Sequence, residues 1–348
     1  MLGPLIPALE ARWHMGDSRA GLLFTSQAVT SVVVALFAGK IARRFGFAAM
    51  VTPGLLIMAA AVACIAAAPS WAVAILGAGG IGAGLGLVIP AGNLGTAQLA
   101  DTDSPRQVMI LNLTWCAGAL MLPLGIRYAG NQFIYALAIG IACAAAMALM
   151  MPNTTLTANG EAASPPSRNI HRTVVLTSLL VFLYVGVENA VSGWISTLGQ
   201  RNGEAGTLWT VLPAAFWVAM FTGRATSPRL LRSVTPAQLT TLGLGVALAG
   251  SIVLIAGRQH AVLIVAGLLC GLGLAPIFPA VITQFADTGA RSALSGVVFA
   301  SANLGGGVMP FAIGALSTQS GSLRWSMALL LPVFALLFVI QHRLKQPA

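Results

Sequence analysis

Charge is scarce in this chain. Asp, Glu, Lys and Arg supply 7% of its 348 residues, against roughly 25% in soluble domains. A soluble fold of this length could not cover its surface with so few charges. A bilayer removes that need, because lipid tails solvate apolar side chains. Acids are the scarcest: eight, against 18 Lys and Arg, for a net charge of +10. The longest basic run is Arg43-Arg44, and no basic cluster is interleaved with exposed aromatics, so a nucleic-acid partner is excluded. The four cysteines (Cys64, Cys116, Cys143, Cys270) sit inside apolar runs with no CxxC pair. They read as small packing residues, with no disulfide framework. The four histidines fall in polar connections or near the chain ends; no metal site and no cofactor is expected. No Gly-x-Ser-x-Gly, HExxH or Gly-Lys-Ser/Thr signature is present, so the chain is read as neither an enzyme nor an ATP-driven pump. The start, Met1-Leu2-Gly3-Pro4, lacks a basic leader, and no cleavable signal peptide is expected.

What the chain has is apolar runs. A spanning helix needs about 20 mostly apolar residues. Eleven stretches qualify, near 20–41, 48–68, 71–98, 107–127, 132–151, 173–198, 207–228, 236–257, 260–284, 291–316 and 325–341. The fold class is therefore an all-α polytopic membrane protein. The longest polar connection, PNTTLTANGEAASPPSRNIHR at 152–172, is Pro/Ser-rich and reads as a linker between two helical halves, 1–151 and 173–348.

Lys and Arg set orientation. One alternate set of connections carries Lys40, Arg43, Arg44, Arg106, Arg168, Arg172, Arg224, Arg229, Arg232, Arg291, Arg343 and Lys345. The other carries Arg12, Arg19, Arg127, Arg201, Arg258 and Arg324. The richer set is expected to be cytoplasmic. This puts the linker and the C-terminus inside and, with eleven spans, the N-terminus outside.

An internal repeat organises these spans. AGLGLVIPA around Pro90 matches CGLGLAPIFPA around Pro279, GALMLPLGI around Pro123 matches GGGVMPFAIG around Pro310, and Gly39-Lys40 matches Gly223-Arg224. The three offsets nearly agree, so the halves read as parallel repeats. The second half has six helices. Shifted back by the same offset, its first helix finds only MLGPLIPALE as the last third of a counterpart. The first half is thus expected to hold five complete spans and a truncated first helix, and a start upstream of Met1 would restore twelve.

Two six-helix halves, a polar central linker and a basic turn after the second helix resemble the major facilitator superfamily. The family's turn motif is Gly-x-x-x-Asp-Arg-x-Gly-Arg-Arg. Here the stretch runs Gly39-Lys40-Ile41-Ala42-Arg43-Arg44-Phe45-Gly46-Phe47-Ala48. The resemblance makes Gly39, Arg43, Arg44 and Gly46 a gating turn. Arg43 stands at the acidic position and Phe47-Ala48 replaces the final basic pair. Tyr184-Val185-Gly186-Val187-Glu188, followed by Ser192-Gly193-Trp194, is similar to the fucose-permease-like branch, as is GLGLAPIFPA. The resemblance implies a secondary transporter, a small-molecule substrate, a monomer and a bacterial inner membrane.

Glu188 is the one acid well inside an apolar stretch. A carboxylate at membrane depth costs at least ~2.5 kcal/mol on insertion scales, and desolvation disfavours its charged form, the condition for loading and releasing a proton. Tyr184 and Ser192 stand one turn either side on the same face. The functional reading is a proton-coupling or substrate-binding group; the bland one is a permanently neutral acid bonded to a neighbouring helix. Asn112, Trp115, Asn303 and Asn93 are the candidate substrate-cavity residues. Amides at this depth line a cavity or glue helices together, Trp115 contacts a ligand or anchors an interface, and Asn93 lines the cavity or satisfies carbonyls freed by Pro90. Asn189 and Trp194 read as packing or interface residues. Gly77-Ala78-Gly79-Gly80-Ile81-Gly82 imitates a dinucleotide fingerprint inside a span, where Gly82 and Gly86 instead permit close helix packing. The expected function is alternating-access transport of a small polar organic solute, coupled to protons through Glu188. The rival readings are a drug-efflux transporter and a non-transporting, degenerate relative acting as a receptor or packing subunit.

Overall fold

A computed structural model describes residues 2–99, 104–150, 153–155, 168–202, 208–286 and 292–345. All regular structure among them is helical. A 3-10 turn at Gly3–Leu5 leads into α1 (Ile6–Trp13), α2 (Asp17–Phe45), α3 (Ala48–Ala67), α4 (Trp71–Leu99) and α5 (Ser104–Ala148). There follow α6 (Arg168–Arg201), α7 (Val211–Leu230), α8 (Pro236–Ala256), α9 (His260–Leu274), α10 (Ile277–Ala286), α11 (Ser292–Ser320), α12 (Leu323–Ser326) and α13 (Leu330–Lys345). Nine segments among the described residues are long and apolar enough to cross a bilayer. The other two expected stretches are helical as well. Gln132–Ala148 is shorter, set off from the first part of α5 by Gly130 at φ 53°, and α7 carries Arg224 and Arg229. Most of the expected linker, 156–167, lies outside the described residues, as does Arg291.

The chain forms two compact units, residues 22–114 with 128–164, and residues 1–21, 115–127 and 165–348. In the first unit α3 packs along α4. Gly82 and Gly86 of α4 meet the backbone carbonyls of Gln27 and Ser31 on α2, with no room for a Cβ. Ser26 Oγ donates to the Ile75 carbonyl (3.0 Å) and Thr30 Oγ1 to the Gly79 carbonyl (2.8 Å) across the same contact. The apparent dinucleotide fingerprint is thus a packing face of α4, as the sequence reading expects. The basic turn after α2 is closed by Asn153, whose Nδ2 donates to the Phe45 carbonyl (2.8 Å) and whose Oδ1 accepts from the Ala48 N–H (3.3 Å). Gly46 there has φ 84°. Arg43 and Arg44 are exposed, with Arg44 over the Phe45 ring at 5.1 Å.

In the second unit α6 is the central element. It packs against α11 most extensively and also meets α13, α10, α9 and α7. Much of its apolar surface is buried: Leu180, Val181, Val187, Ala190, Val191, Trp194 and Ile195 are fully enclosed, while Val175 and Leu179 nearer its start are exposed. Trp194 Nε1 donates to the Pro310 carbonyl on α11 (3.0 Å), which satisfies its one polar atom. Arg324 at α12 donates to the Ile255 carbonyl (2.8 Å) and the Leu254 carbonyl (3.3 Å) at the end of α8, and to Asn202 Oδ1 (2.9 Å). These carbonyls have no partner inside their own helix, and a cation is favoured at that terminus.

The closest approach in this unit is at Gly305 of α11, where an added Cβ would overlap the Phe182 carbonyl group of α6, backbone that cannot turn aside. Gly305→Ala is expected to lower stability by about 1–3 kcal/mol through overpacking, read as a drop in the melting temperature of the detergent-solubilised protein. Gly245→Ala on α8, where no atom lies within 4 Å, is expected to stay within about 0.5 kcal/mol of the parent.

Candidate functional site

The helical period of α6 puts Tyr184, Glu188 and Ser192 on one stripe, four residues apart. Glu188 is 8% exposed and Tyr184 1%. Tyr184 Oη donates to Glu188 Oε2 at 2.5 Å. Tyr184 stacks on Phe278 of α10 (centroids 6.2 Å apart, 27° between planes), and Phe278 meets Phe299 of α11 at 6.2 Å. The carboxylate thus stands at the end of an aromatic row drawn from three helices.

The other partner of Glu188 is a cation the sequence reading assigned elsewhere. Arg224 of α7, 7% exposed, donates through Nη2 to Glu188 Oε2 at 3.4 Å and through Nη1 to Cys116 Sγ of α5 at 3.3 Å. Its Nε is buried and has no hydrogen-bond partner among the described residues. Arg224 is therefore not the connection charge expected from the sequence: α7 runs on to Leu230, so Arg224 lies inside the helix and not after it. Cys116 likewise is more than a packing residue, since its sulfur accepts from the guanidinium. The signal for Arg224 was its place within the apolar stretch 207–228. The match of Gly223-Arg224 to the helix-ending Gly39-Lys40 hid it.

The pair explains how either charge tolerates burial. An isolated ion in a low-dielectric interior carries a penalty of several kcal/mol, which a well-placed opposite charge and further hydrogen bonds offset. Tyr184 and Cys116 are those further partners. What the arrangement offers chemically is a neutral pair in which one nitrogen of Arg224, Nε, has no hydrogen-bond partner among the described residues. Ser192, half-buried on the same stripe, lies beside the chain start: a Cβ on Gly3 would come within 2.6 Å of the Ser192 carbonyl.

The cavity candidates sit differently. Asn93 Nδ2 donates to the Ile89 carbonyl of its own helix at 2.9 Å, a back-bond beside the Pro90 break. Asn112, Trp115 and Asn303 are half-buried, the first two in α5 and the third in α11. Asn189 Nδ2 donates to the Val185 carbonyl (3.0 Å) within α6.

Solved structures of other proteins share this fold, three of them as follows. A structure of the Escherichia coli fucose:proton symporter FucP covers 94% of this chain and 91% of its own, at 17% identity and a TM-score of 0.67. FucP in an outward conformation covers 94% and 90%, with the same identity and TM-score. A bacterial homolog of the human lysosomal transporter Spinster, inward-facing and occupied, covers 99% and 92% at 12% identity and a TM-score of 0.74. At these identities the likeness is one of fold. No curated protein sequence matches the chain. The family model described as Major Facilitator Superfamily matches residues 1–289, well over half of the chain. With the nine apolar helices and the shared fold, that match identifies the chain as a multi-pass membrane protein of the major facilitator superfamily.

Proposed function

We propose that this protein is a secondary active transporter that moves a small polar organic solute by alternating access, coupled to protons through Glu188. The supporting observation is the ion pair between Glu188 and Arg224, enclosed at the depth of apolar helices. The two halves, 1–151 and 173–348, would rock about the linker 152–172, with the linker and C-terminus in the cytoplasm of a bacterial inner-membrane protein acting as a monomer. The fucose-permease-like stretch Tyr184–Glu188 and the fold shared with a fucose:proton symporter favour a sugar or other polyol as the solute class.

The pair also supplies a coupling rule. A proton on Glu188 cancels its charge and leaves Arg224 a buried cation without a counter-charge, a state disfavoured by several kcal/mol. Proton loading then has to be matched by another acceptor on Arg224, or by movement that wets its guanidinium. The unused Nε of Arg224 and the hydroxyls of a polyol are complementary in this respect. Proton loading would then favour solute binding, because a polyol hydroxyl can accept from the guanidinium that the neutralised carboxyl no longer balances. Asn112, Asn303, Trp115 and Asn93 are proposed as substrate-contact residues, and Gly39, Arg43, Arg44 and Gly46 as a gating turn.

In proteoliposomes with an imposed pH gradient and an internal pH-sensitive dye, a panel of monosaccharides and polyols is expected to include one whose addition moves protons. Glu188→Gln, neutral and of equal size, is expected to abolish gradient-driven accumulation of that solute while leaving solute exchange at equal pH. Accumulation retained at the parent level would remove Glu188 as the coupling group. Binding of a panel member without any accumulation by the parent protein would favour a receptor-like role over transport.

A further inference from the structure

A second charged cluster lies away from Glu188, where α1 and the start of α2 meet the ends of α6 and α11. Asp17 reads in the sequence as a residue beside a polar connection, yet it is 4% exposed. Its carboxylate takes both terminal nitrogens of Arg201, Nη1 to Oδ2 at 2.8 Å and Nη2 to Oδ1 closer still, and also accepts from Ser317 Oγ. Glu10, midway along α1, comes to the same guanidinium, Oε2 to Nη2 at 3.2 Å. Its other oxygen, Oε1, is buried and has no hydrogen-bond partner among the described residues. Two carboxylates thus share one cation.

With both acids ionised the cluster carries one surplus negative charge, its two carboxylates largely buried and its arginine side chain 42% exposed. One proton on Glu10 removes that surplus, and the Asp17–Arg201 pair is left intact with its bidentate geometry. We propose that Glu10 is a proton-binding site, separate from Glu188, whose protonated form holds α1 and the start of α2 against the ends of α6 and α11.

The surrounding charges agree with this. On the stretch carrying Glu10, the guanidinium of Arg12 lies over the Trp13 ring at 5.4 Å, and His14 and Arg19 are the remaining titratable or charged groups besides Asp17. From the end of α6 comes Arg201, followed by the neutral Asn202, and from α11 the hydroxyls of Ser317 and Thr318. Arg324 of α12 is engaged with the carbonyls ending α8 and with Asn202. Glu204 lies outside the described residues. Glu10 also lies outside the nine spans. Burial, opposed by Arg201 and reinforced by Asp17, pushes its carboxyl from an ordinary 4.5 up to about 7. The sign follows from linkage: a group that binds its proton more tightly in the assembled cluster favours assembly at low pH. That contribution is fully present below 4.5 and is lost as pH rises through about 7.

The contact can be read at Ser18 and Thr318, where the Ser18 N–H donates to Thr318 Oγ1 at 2.9 Å. With Ser18→Cys and Thr318→Cys placed together in the full chain in proteoliposomes, the cross-linked peptide is quantified by mass spectrometry. It is compared between parent and Glu10→Gln backgrounds at about pH 5.5 and about pH 8.5, either side of the transition. The ratio between backgrounds cancels the pH dependence of the thiols themselves. The parent is expected to lose cross-link several-fold relative to Glu10→Gln as pH rises, because Gln mimics the protonated acid at every pH. Equal pH dependence in the two backgrounds would overturn the proposal. Infrared titration of the parent protein keeps the test open should the variant fail to fold. A buried carboxyl band disappearing with a midpoint near 7 is expected, and its absence would overturn the assignment.

Discussion

A charge inside apolar helices must bring its partner with it, and most of this structure's special features follow from that rule. Neither Glu188 nor Arg224 could be held at its depth alone. Together they form a neutral unit, and the groups around them are the ones such a unit requires. Tyr184 supplies an O–H to the carboxylate, Cys116 supplies an acceptor to the guanidinium, and the Phe278–Phe299 row closes the aromatic side. The cost of breaking such a unit by removing one member is much larger than its net contribution to stability. Loss of either charge at this place therefore acts strongly on the fold, whereas loss from an exposed pair of the same residues would matter little.

The packing that holds this unit follows from a second rule, that backbone polar groups in lipid must be satisfied within the protein. Helices meet that need along their length, so the remaining work falls on their ends and breaks. Arg324 covers the carbonyls at the end of α8, Asn153 closes the turn after α2, and Asn93 bonds back beside Pro90. Where helices approach most closely, glycine provides the space, as between α4 and α2 at Gly82 and Gly86 and between α11 and α6 at Gly305. The Glu10–Asp17–Arg201 cluster obeys the same logic as the inner pair with one difference: its charges do not balance without a proton.

Most of the fold was legible in the sequence because the relevant signals are long. Apolar runs of about 20 residues are hard to mistake, and each expected stretch is largely helical in the described residues, 260–284 as α9 and α10 and 325–341 as α12, a 3-10 turn and α13. The Pro and Gly matches of the internal repeat also fall in helices: Pro90 in α4 and Pro279 in α10, Pro123 in α5 and Pro310 in α11. Glu188 and Tyr184 stood out for the same reason, one acid against an apolar background and one helical turn between them. Arg224 did not, because basic residues are common near span ends and its neighbours matched a helix-ending pair in the other half. Cys116 was illegible, since nothing in its apolar surroundings names a guanidinium partner from another helix. Asp17 and Arg201 are 184 residues apart, and no local pattern announces that they meet.

The interdependence of the inner pair is measurable by a double-mutant cycle. Glu188→Gln, Arg224→Gln and the double variant are compared with the parent for melting temperature in one detergent at neutral pH. Each single change strands a buried charge and is expected to cost about 3–5 kcal/mol, while the double change strands none and is expected to recover most of that loss. Losses that simply add would mean the two charges do not depend on each other, and the account of the site built on their pairing would fail.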